Sequence, residues 1–440
     1  VRKPARFQTL PGSITAPQGF LAAGVYCDIK RLGTGKGSNK GKKRDLALIV
    51  STAPASVAGV FTTNQVCAAP VLISLERAKR GLGRAIVVNS GNANACTGPQ
   101  GLRDARAMTE LTARRLKISP EDVLVCSTGR IGVKMPMTQV RAGIQAASAI
   151  LNGSPTSAHC VAEAIMTSDT RPKEVAVEFK LGGRPVRVAG ICKGAGMIQP
   201  TMSAVGPQAR NGGLHATMLC FLTTDAAVET ATLRSSLIKA VEQSFNRITV
   251  DGDMSTNDSA IILANGVAGN EALDQAAATA SGRGDLAQFQ TALNHVTLEL
   301  AKMIVRDGEG ASRFITIHLT GARTASEADA AARAVANSLL VKTSWCGGDP
   351  NWGRILDALG YSAARIAPEK VDVGYSLPGE KKVAFALKRG RPAATPFEAL
   401  KKIVAQSEFD LHIDLHIGPA GAVIYTADLT EEYVDFNKGE

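Results

Sequence analysis

Short apolar runs closed by glycine or small polar residues alternate along the chain with longer stretches in which apolar residues recur at every third or fourth position. The runs predict strands at Ala85–Asn89, Val123–Cys126, Glu174–Phe179 and Arg187–Ile191. The periodic stretches predict helices over Asp104–Leu116, Thr138–Leu151, Leu233–Phe245 and Leu286–Val305. Strands and helices mix from end to end, which points to an α/β protein. No unit of roughly 20–50 residues repeats, so solenoids and propellers are set aside.

The length of 440 residues is enough for two or three domains. With 45% hydrophobic and 20% charged residues the composition is that of a globular chain, and whole-chain disorder is excluded. The most apolar region, Asp45 to Phe61, is broken by Ser51, Thr52, Pro54 and Ser56, so a membrane span is not expected. An Ala/Gly/Asp stretch, Gly269 to Gly284, reads as a surface helix or loop.

A net charge of +11 suggests nucleic acid, an anionic surface or anionic small molecules as partners. Much of the excess lies in Arg2, Lys3 and Arg6 and in the run Lys36 to Arg44, which reads as a solvated loop. Neither cluster is interleaved with aromatic residues, and at 4% aromatics there is no stacking platform, which disfavours nucleic acid. The eight cysteines are scattered without a CxxC pair. They fit buried thiols in a reducing compartment rather than a zinc site or a disulfide framework. The cytoplasm is therefore expected. The first residue is Val1 rather than methionine, so a missing start is expected. Arg2, Lys3 and Arg6 would suit the remnant of a transit sequence, although no amphipathic, Ser-rich helix accompanies them.

Several motif-like segments fail on inspection. Gly33 to Ser38 does not fit the phosphate-loop spacing, and an apolar run follows it instead of preceding it. After Gly194 and Gly196 a dinucleotide fingerprint needs a third glycine, but the position is Gln199. Asp251 to Ser255 imitates a calcium loop, yet Thr256 and Ile262 occupy the positions of its glycine and glutamate. Asp410, His412, Asp414 and His416 alternate with Leu411, Ile413 and Leu415. On a strand the four polar residues share one face and could bind a metal, but a half-buried strand with a wet face is the favoured reading. No GxSxG elbow exists to pair with a histidine.

What remains is hydroxyl and amide chemistry without histidine. Thr128 and Gly129, in Val125–Arg130, end a strand in what reads as a sharp turn, where a hydroxyl and a backbone N–H can converge as in an oxyanion hole. Lys193 lies in a glycine-rich segment read as a turn, and Ala216-Thr217 runs into an apolar stretch. By residue type alone Thr217 is a β-branched strand starter. If the chain is cut ahead of it, however, the new α-amine lies beside the hydroxyl and can serve as its base.

The segments GFLAAG, FTTNQVCAAPV, NSGNANACTG, STGRIG, KGAGMI, HATMLCFLTTDA, FNRITVDGDMSTND, VRDGEGAS and GGDPNWGRI follow one another along the chain. In this order they resemble the ornithine acetyltransferase family, the glutamate N-acetyltransferases of arginine biosynthesis. The resemblance covers nearly the whole chain. It implies two lobes of layered sheets and helices closing around one site, and a precursor that cleaves itself between Ala216 and Thr217. The fragments would be residues 1–216, with the oxyanion hole and substrate lysine, and 217–440, beginning with the nucleophile.

It further implies an oxyanion hole from Thr128 and Gly129 and substrate contacts from Thr167, Lys193, Thr217, Glu309 and Asn437. The substrates would be N2-acetylornithine and glutamate, the products ornithine and N-acetylglutamate. No metal or organic cofactor is implied, with acetyl-CoA as a further co-substrate in bifunctional members. The fragments would assemble as a heterotetramer of two of each, in the cytoplasm or, in a eukaryote, the mitochondrial matrix. An amino-terminal-nucleophile aminopeptidase is the rival enzyme, and a basic nucleic-acid-binding protein the rival from another class. Three features depart from the family pattern: Ser203 to His215 separates the GMI segment from Ala216, the chain stops short of a final substrate-contacting threonine, and the lysine-rich run at 36–43 is an insertion.

Overall fold

The computed structural model describes residues 7–30, 43–207, 218–276 and 280–438. The chain divides into two compact units, residues 1–246 with 253–304, and residues 247–252 with 305–438. The first holds a ten-stranded sheet. Its strands are β1 (Gln8–Thr9), β2 (Phe20–Val25), β3 (Leu46–Thr62), β4 (Leu82–Asn92), β5 (Val123–Arg130), β6 (Lys173–Leu181), β7 (Arg184–Lys193), β8 (Met202–Ser203), β9 (Leu219–Thr224) and β11 (Ser259–Ala264). They run in the order β1-β6-β7-β9-β11-β3-β4-β5, with β2 and β8 also on β3. All four predicted strands are present, each longer than its apolar run.

The reason those runs are continuous rather than alternating is that both faces of the sheet are covered. The helices of this unit are α1 (Ala69–Arg80), α2 (Gly98–Leu116), α3 (Met137–Ala149), α4 (Pro155–Ile165) and α5 (Thr230–Glu242). Ile86, Val88 and Leu124 point into a core shared with Val71 and Leu75 of α1 and Val161 and Ile165 of α4. Their neighbours Ala85, Val87 and Val123 point into another, with Met108 of α2 and Ile144 of α3. Each large aliphatic side chain buried in this way stabilises the fold by ~1.5–3 kcal/mol. The start of α4 is fixed by Ser154, whose hydroxyl accepts from the Ser157 amide at 3.2 Å, and by Pro155 in the first turn.

The predicted helix at Leu286–Val305 is the greater part of α6 (Ala280–Arg306). Phe289, Ala292, Leu293, Val296, Leu300 and Ile304 recur along its buried stripe. Of the Ala/Gly/Asp stretch, residues 269–276 are loop and α6 starts at Ala280. In the lysine-rich run, residues 36–42 lie outside the described residues; Lys43 is exposed and Arg44 half-buried.

The second unit carries β10 (Ile248–Thr249), β12 (Phe314–Ala322), β13 (Asp372–Ser376), β14 (Ala384–Lys388), β15 (Arg391–Pro392), β16 (Glu408–Asp414) and β17 (Ala420–Ala427). These form a seven-stranded sheet in the order β10-β17-β12-β16-β13-β14-β15. Its helices are α7 (Ala325–Asn337), α8 (Leu339–Cys346), α9 (Trp352–Gly360), α10 (Phe397–Val404) and α11 (Glu431–Phe436). Leu411, Ile413 and Leu415 join Val335 and Trp345 in the core. On β16 the polar alternates behave as a half-buried strand face: the His412 ring stacks on His318 at 5.0 Å and lies 2.9 Å from the Ser376 hydroxyl. His416 leaves the alternation at φ 50° and meets Asp372 at 2.9 Å. Among the described residues no group of His, Cys, Asp or Glu is arranged to hold a metal.

None of the eight cysteines is in a disulfide, but they are not uniformly buried as the sequence suggested: Cys126, Cys192 and Cys220 are, Cys96 is exposed and the other four are half-buried. Among the described residues no helix is long and apolar enough to cross a membrane.

Candidate active site

The central strand of the first sheet, β9, starts two residues after the expected cleavage bond. Ala216 and Thr217 themselves lie outside the described residues, whereas Met218 and Leu219 are held from both sides. Leu219 pairs with Lys193 of β7 and with Ser259 of β11. The Met218 carbonyl accepts from the Ser259 amide at 3.1 Å, and the Met218 amide donates to Asp258 Oδ1 at 2.8 Å.

Thr128 and Gly129 belong to the last residues of β5 rather than to a turn beyond it. The sharp feature expected there is a bulge: the β4–β5 register slips between Gly91 and Asn92, opposite Gly129. Gly129 sits at φ 128°, where a Cβ would come within 2.4 Å of the Gly91 carbonyl carbon and 2.6 Å of the Asn92 nitrogen. No side chain fits there, so glycine is required for the two strands to approach.

The placement of Lys193 in a turn is the second correction. Lys193 is the last residue of β7 and only 2% exposed. A buried ammonium needs partners, and Lys193 has them. Its Nζ donates to Thr167 Oγ1 at 2.7 Å and to Thr128 Oγ1 at 3.3 Å, and stands 3.9 Å from Asp169 Oδ2. Although β9, β11, β3 and β4 separate β7 from β5 in the sheet, the ends of the two strands meet through this lysine. Because the Thr128 hydroxyl accepts from a cation, its own hydrogen is polarised and left to donate to an anion.

Two carboxylates at this site were not singled out from the sequence, although both lie in segments that carry the resemblance or adjoin Thr167. Asp169 is fully buried and joins four groups: Lys173 Nζ at 2.7 Å, the Gly194 amide at 2.7 Å, the Thr167 amide at 3.0 Å and, more distantly, Lys193. Burial alone would raise its pKa, but the ammonium of Lys173, then that of Lys193, and the Gly194 amide hold it well below the usual carboxylate range. Asp258 is the opposite case. Burial pushes it up to about 7, and the Met218 amide, Ser255 and the charge of Lys193 only partly offset this. Its Oδ2 has no hydrogen-bond partner among the described residues.

These two environments have different signatures. In Asp258 the folded pKa lies above the reference value of 3.8, so the folded chain holds a proton that the unfolded chain releases. That contribution is complete below about pH 4 and is lost as pH rises through about 7. Asp258→Asn, which is neutral throughout, should therefore gain stability relative to the parent on going from pH 5 to pH 8, by on the order of 2–4 kcal/mol. Thermal midpoints at the two pH values measure it; an equal difference at both would mean that Asp258 does not hold its proton.

In the second unit, Glu309 lies half-buried in the turn after α6, and Asn437 caps the end of α11. The Asn437 Nδ2 donates to Glu309 Oε2 at 3.2 Å and to the Tyr433 carbonyl at 2.8 Å. The approach is secured by Gly310 at φ 64°, where a Cβ would meet the Tyr433 nitrogen at 2.4 Å, and by Thr430 Oγ1, which donates to the Gly310 carbonyl at 2.6 Å. The expected residues thus fall into two groups: Thr128, Gly129, Thr167 and Lys193 in the first unit, Glu309 and Asn437 in the second.

A profile described as the ArgJ family matches residues 22–439. An arginine biosynthesis bifunctional protein ArgJ of Symbiobacterium thermophilum is 46% identical over 428 residues, which cover 97% of this chain and 98% of that protein. A glutamate N-acetyltransferase of Methanocaldococcus jannaschii is 44% identical over 435 residues, 98% of each chain. Among solved structures, an ornithine acetyltransferase of Mycobacterium tuberculosis complexed with ornithine is 39% identical, with a TM-score of 0.41, over 45% of this chain and 100% of that chain. With the family profile running through the β-sheets of both units and relatives aligned along almost its full length, the chain belongs to the ArgJ family.

Proposed function

We propose that the protein transfers an acetyl group from N2-acetylornithine to glutamate in arginine biosynthesis, carrying it on Thr217 after cleavage of the Ala216–Thr217 bond. The observation that carries this reading is the meeting of Thr128 and Thr167 on the ammonium of Lys193, which pairs with Leu219 at the start of β9. In the first half-reaction the Thr217 hydroxyl oxygen attacks the acetyl carbonyl carbon and its proton passes to the Thr217 α-amine. The Thr128 hydroxyl and the Gly129 N–H receive the oxyanion. Collapse breaks the C–N bond, the ornithine nitrogen takes the proton, and the acetyl ester remains. Glutamate's α-amine then attacks that ester and the same groups act in reverse.

Lys193 and Thr167 suit the α-carboxylate common to both amino acids, and Glu309 and Asn437 are the further proposed substrate contacts. Thr217 would serve as both nucleophile and substrate contact. Acetyl-CoA would enter as an alternative donor to the same threonine, and no metal or organic cofactor takes part in these steps. The two fragments would stay together, because β9 on one side of the cut pairs along its whole length with β7 on the other; a heterotetramer of two of each, in the cytoplasm, is the expected assembly.

One nucleophile serving two half-reactions implies ping-pong kinetics. Incubation with N2-acetylornithine alone, followed by acid quench and mass spectrometry, should give a fragment beginning at Thr217 that is heavier by one acetyl group, with parallel double-reciprocal plots in the steady state. Intersecting lines without a mass change would mean direct transfer in a ternary complex and would remove Thr217 as the carrier.

A further inference from the structure

A cavity of about 270 Å³ opens in the first unit beside Thr167 and Asp169, with Lys30, Lys43, Arg44 and Glu163 also in its lining. Three cations thus face two carboxylates, and the carboxylates are already engaged. Asp169 is held by Lys173 at 2.7 Å, and Glu163 by Arg44 at 2.5 Å. With Arg44 set against Glu163, and Lys173 from outside the lining set against Asp169, the balance of the lining is positive through Lys30 and Lys43. Lys30 is 2% exposed, fixed by donation from its Nζ to the Arg44 carbonyl at 2.6 Å and from its own amide, which reaches Asp45 Oδ2 at 3.1 Å. Burial pulls this ammonium down to about 8, against the opposing charges of Asp45 and Asp169. An anion brought into the cavity would return the interaction that burial has removed.

The cavity adjoins the amino-acid head-group residues directly. Thr167 and Asp169, which form part of its wall, are the groups that surround the Lys193 ammonium. Donor and acceptor share an α-amino-acid head but end in opposite charges, an ammonium in acetylornithine and a carboxylate in glutamate. A basic lining attracts the second and repels the first. Resting on the donor and acceptor assigned above, we propose that this cavity is the subsite for the side-chain carboxylate of the acetyl acceptor, gripped by Lys30, Lys43 and Arg44. It has room for a short carboxylate-bearing arm and bridging waters.

Lys43 is exposed and Arg44 half-buried, so Lys43→Gln, Arg44→Gln and the double variant should fold, with thermal midpoints as the check. Formation of the acetyl-enzyme from N2-acetylornithine and its discharge to glutamate are then measured separately. Loss of a charge-assisted contact predicts that the double variant raises KM for glutamate about tenfold or more beyond any change in KM for acetylornithine. It should also narrow the preference for glutamate over glutamine, since the amide carries no charge to lose. Equal changes in both KM values, or an unchanged glutamate-to-glutamine preference, would overturn the assignment. A third arm uses acetyl-CoA as donor: a rise confined to its KM would give the cavity to the coenzyme's phosphates instead and overturn the carboxylate assignment. Failure of the unaltered protein to form an acetyl-enzyme would overturn the underlying reaction, and it is read without any variant.

Discussion

Thr217→Ala should yield one uncut chain of 440 residues with no measurable acetyl transfer. The cleavage proposed here is an N-to-O acyl shift: the threonine hydroxyl attacks the Ala216 carbonyl, the C–N bond breaks to free the Thr217 α-amine and leave an ester, and water then hydrolyses that ester to the Ala216 carboxylate and the Thr217 hydroxyl. Alanine has no oxygen to accept the acyl group, so neither the cut nor the acetyl ester can form. Loss of a nucleophile of this kind removes on the order of 10⁴-fold or more of activity. The unaltered protein should instead give pieces of 216 and 224 residues under denaturing conditions, the second starting Thr-Met-Leu-Cys. Thr217→Ser keeps the hydroxyl and should still be cut. A new amino terminus anywhere else, the inserted Ser203–His215 segment included, would defeat the assignment.

Asp169→Asn should be the most destabilising substitution in the first unit's polar interior. Its carboxylate is the counter-charge of two buried ammonium groups, Lys173 at 1% and Lys193 at 2% exposure, and it also accepts from the Thr167 and Gly194 amides. Neutralising it leaves positive charge buried without compensation, which costs about 3–5 kcal/mol. The effect has a defined pH dependence. Because the folded pKa of Asp169 is depressed, its contribution is present above the unfolded value near 3.8 and is lost as pH falls through the lower folded value. The stability gap between parent and variant should be full at pH 7 and narrow as the pH is taken below about 4. A gap that widens on acidification would show that the carboxylate is not the charged member of this cluster. Activity should fall with stability, since Thr167 and Lys193 lose the group that aligns them.

The different legibility of the two levels of structure has a physical origin. Hydrophobic periodicity reports burial of a face, so the stripe of α6 and the doubly covered runs of β4 and β5 were readable from local sequence. The alternation from Asp410 to Asp414 was readable for the same reason, whereas the departure of His416 was not. A buried ion cluster leaves no such trace. Lys193 has the local signature of a glycine-flanked turn charge, and only the convergence of β5, β7 and the segment around Asp169 shows why it can be dehydrated. Asp169 itself drew no notice because a carboxylate two residues from a threonine is ordinary until both of its lysines are in place. Thr128 and Gly129 were located by motif, but the turn expected there is a bulge inside a strand, a property of the pairing with Gly91 and Asn92 that one strand's sequence does not contain. Asp258 needed the register of β9 against β11 to come beside Met218.

The place of β9 in the sheet sets the order of events in the life of the molecule. Six residues long, it is bonded in antiparallel register to β7 on one side and in parallel register to β11 on the other. A strand with neighbours on both edges enters the sheet while the sheet is being assembled, and long-range pairings of this sort close more slowly than local ones. The proposed cleavage would therefore follow folding, with the intact backbone acting as the tether that delivers the strand to its slot. With that tether severed as proposed, withdrawing β9 would tear two ladders at once, so the halves of one molecule should not trade places with those of another. Differently tagged batches of processed enzyme, mixed without denaturant, are expected to keep their original pairings, and halves synthesised from separate genes would meet an assembly problem that the single chain never faces.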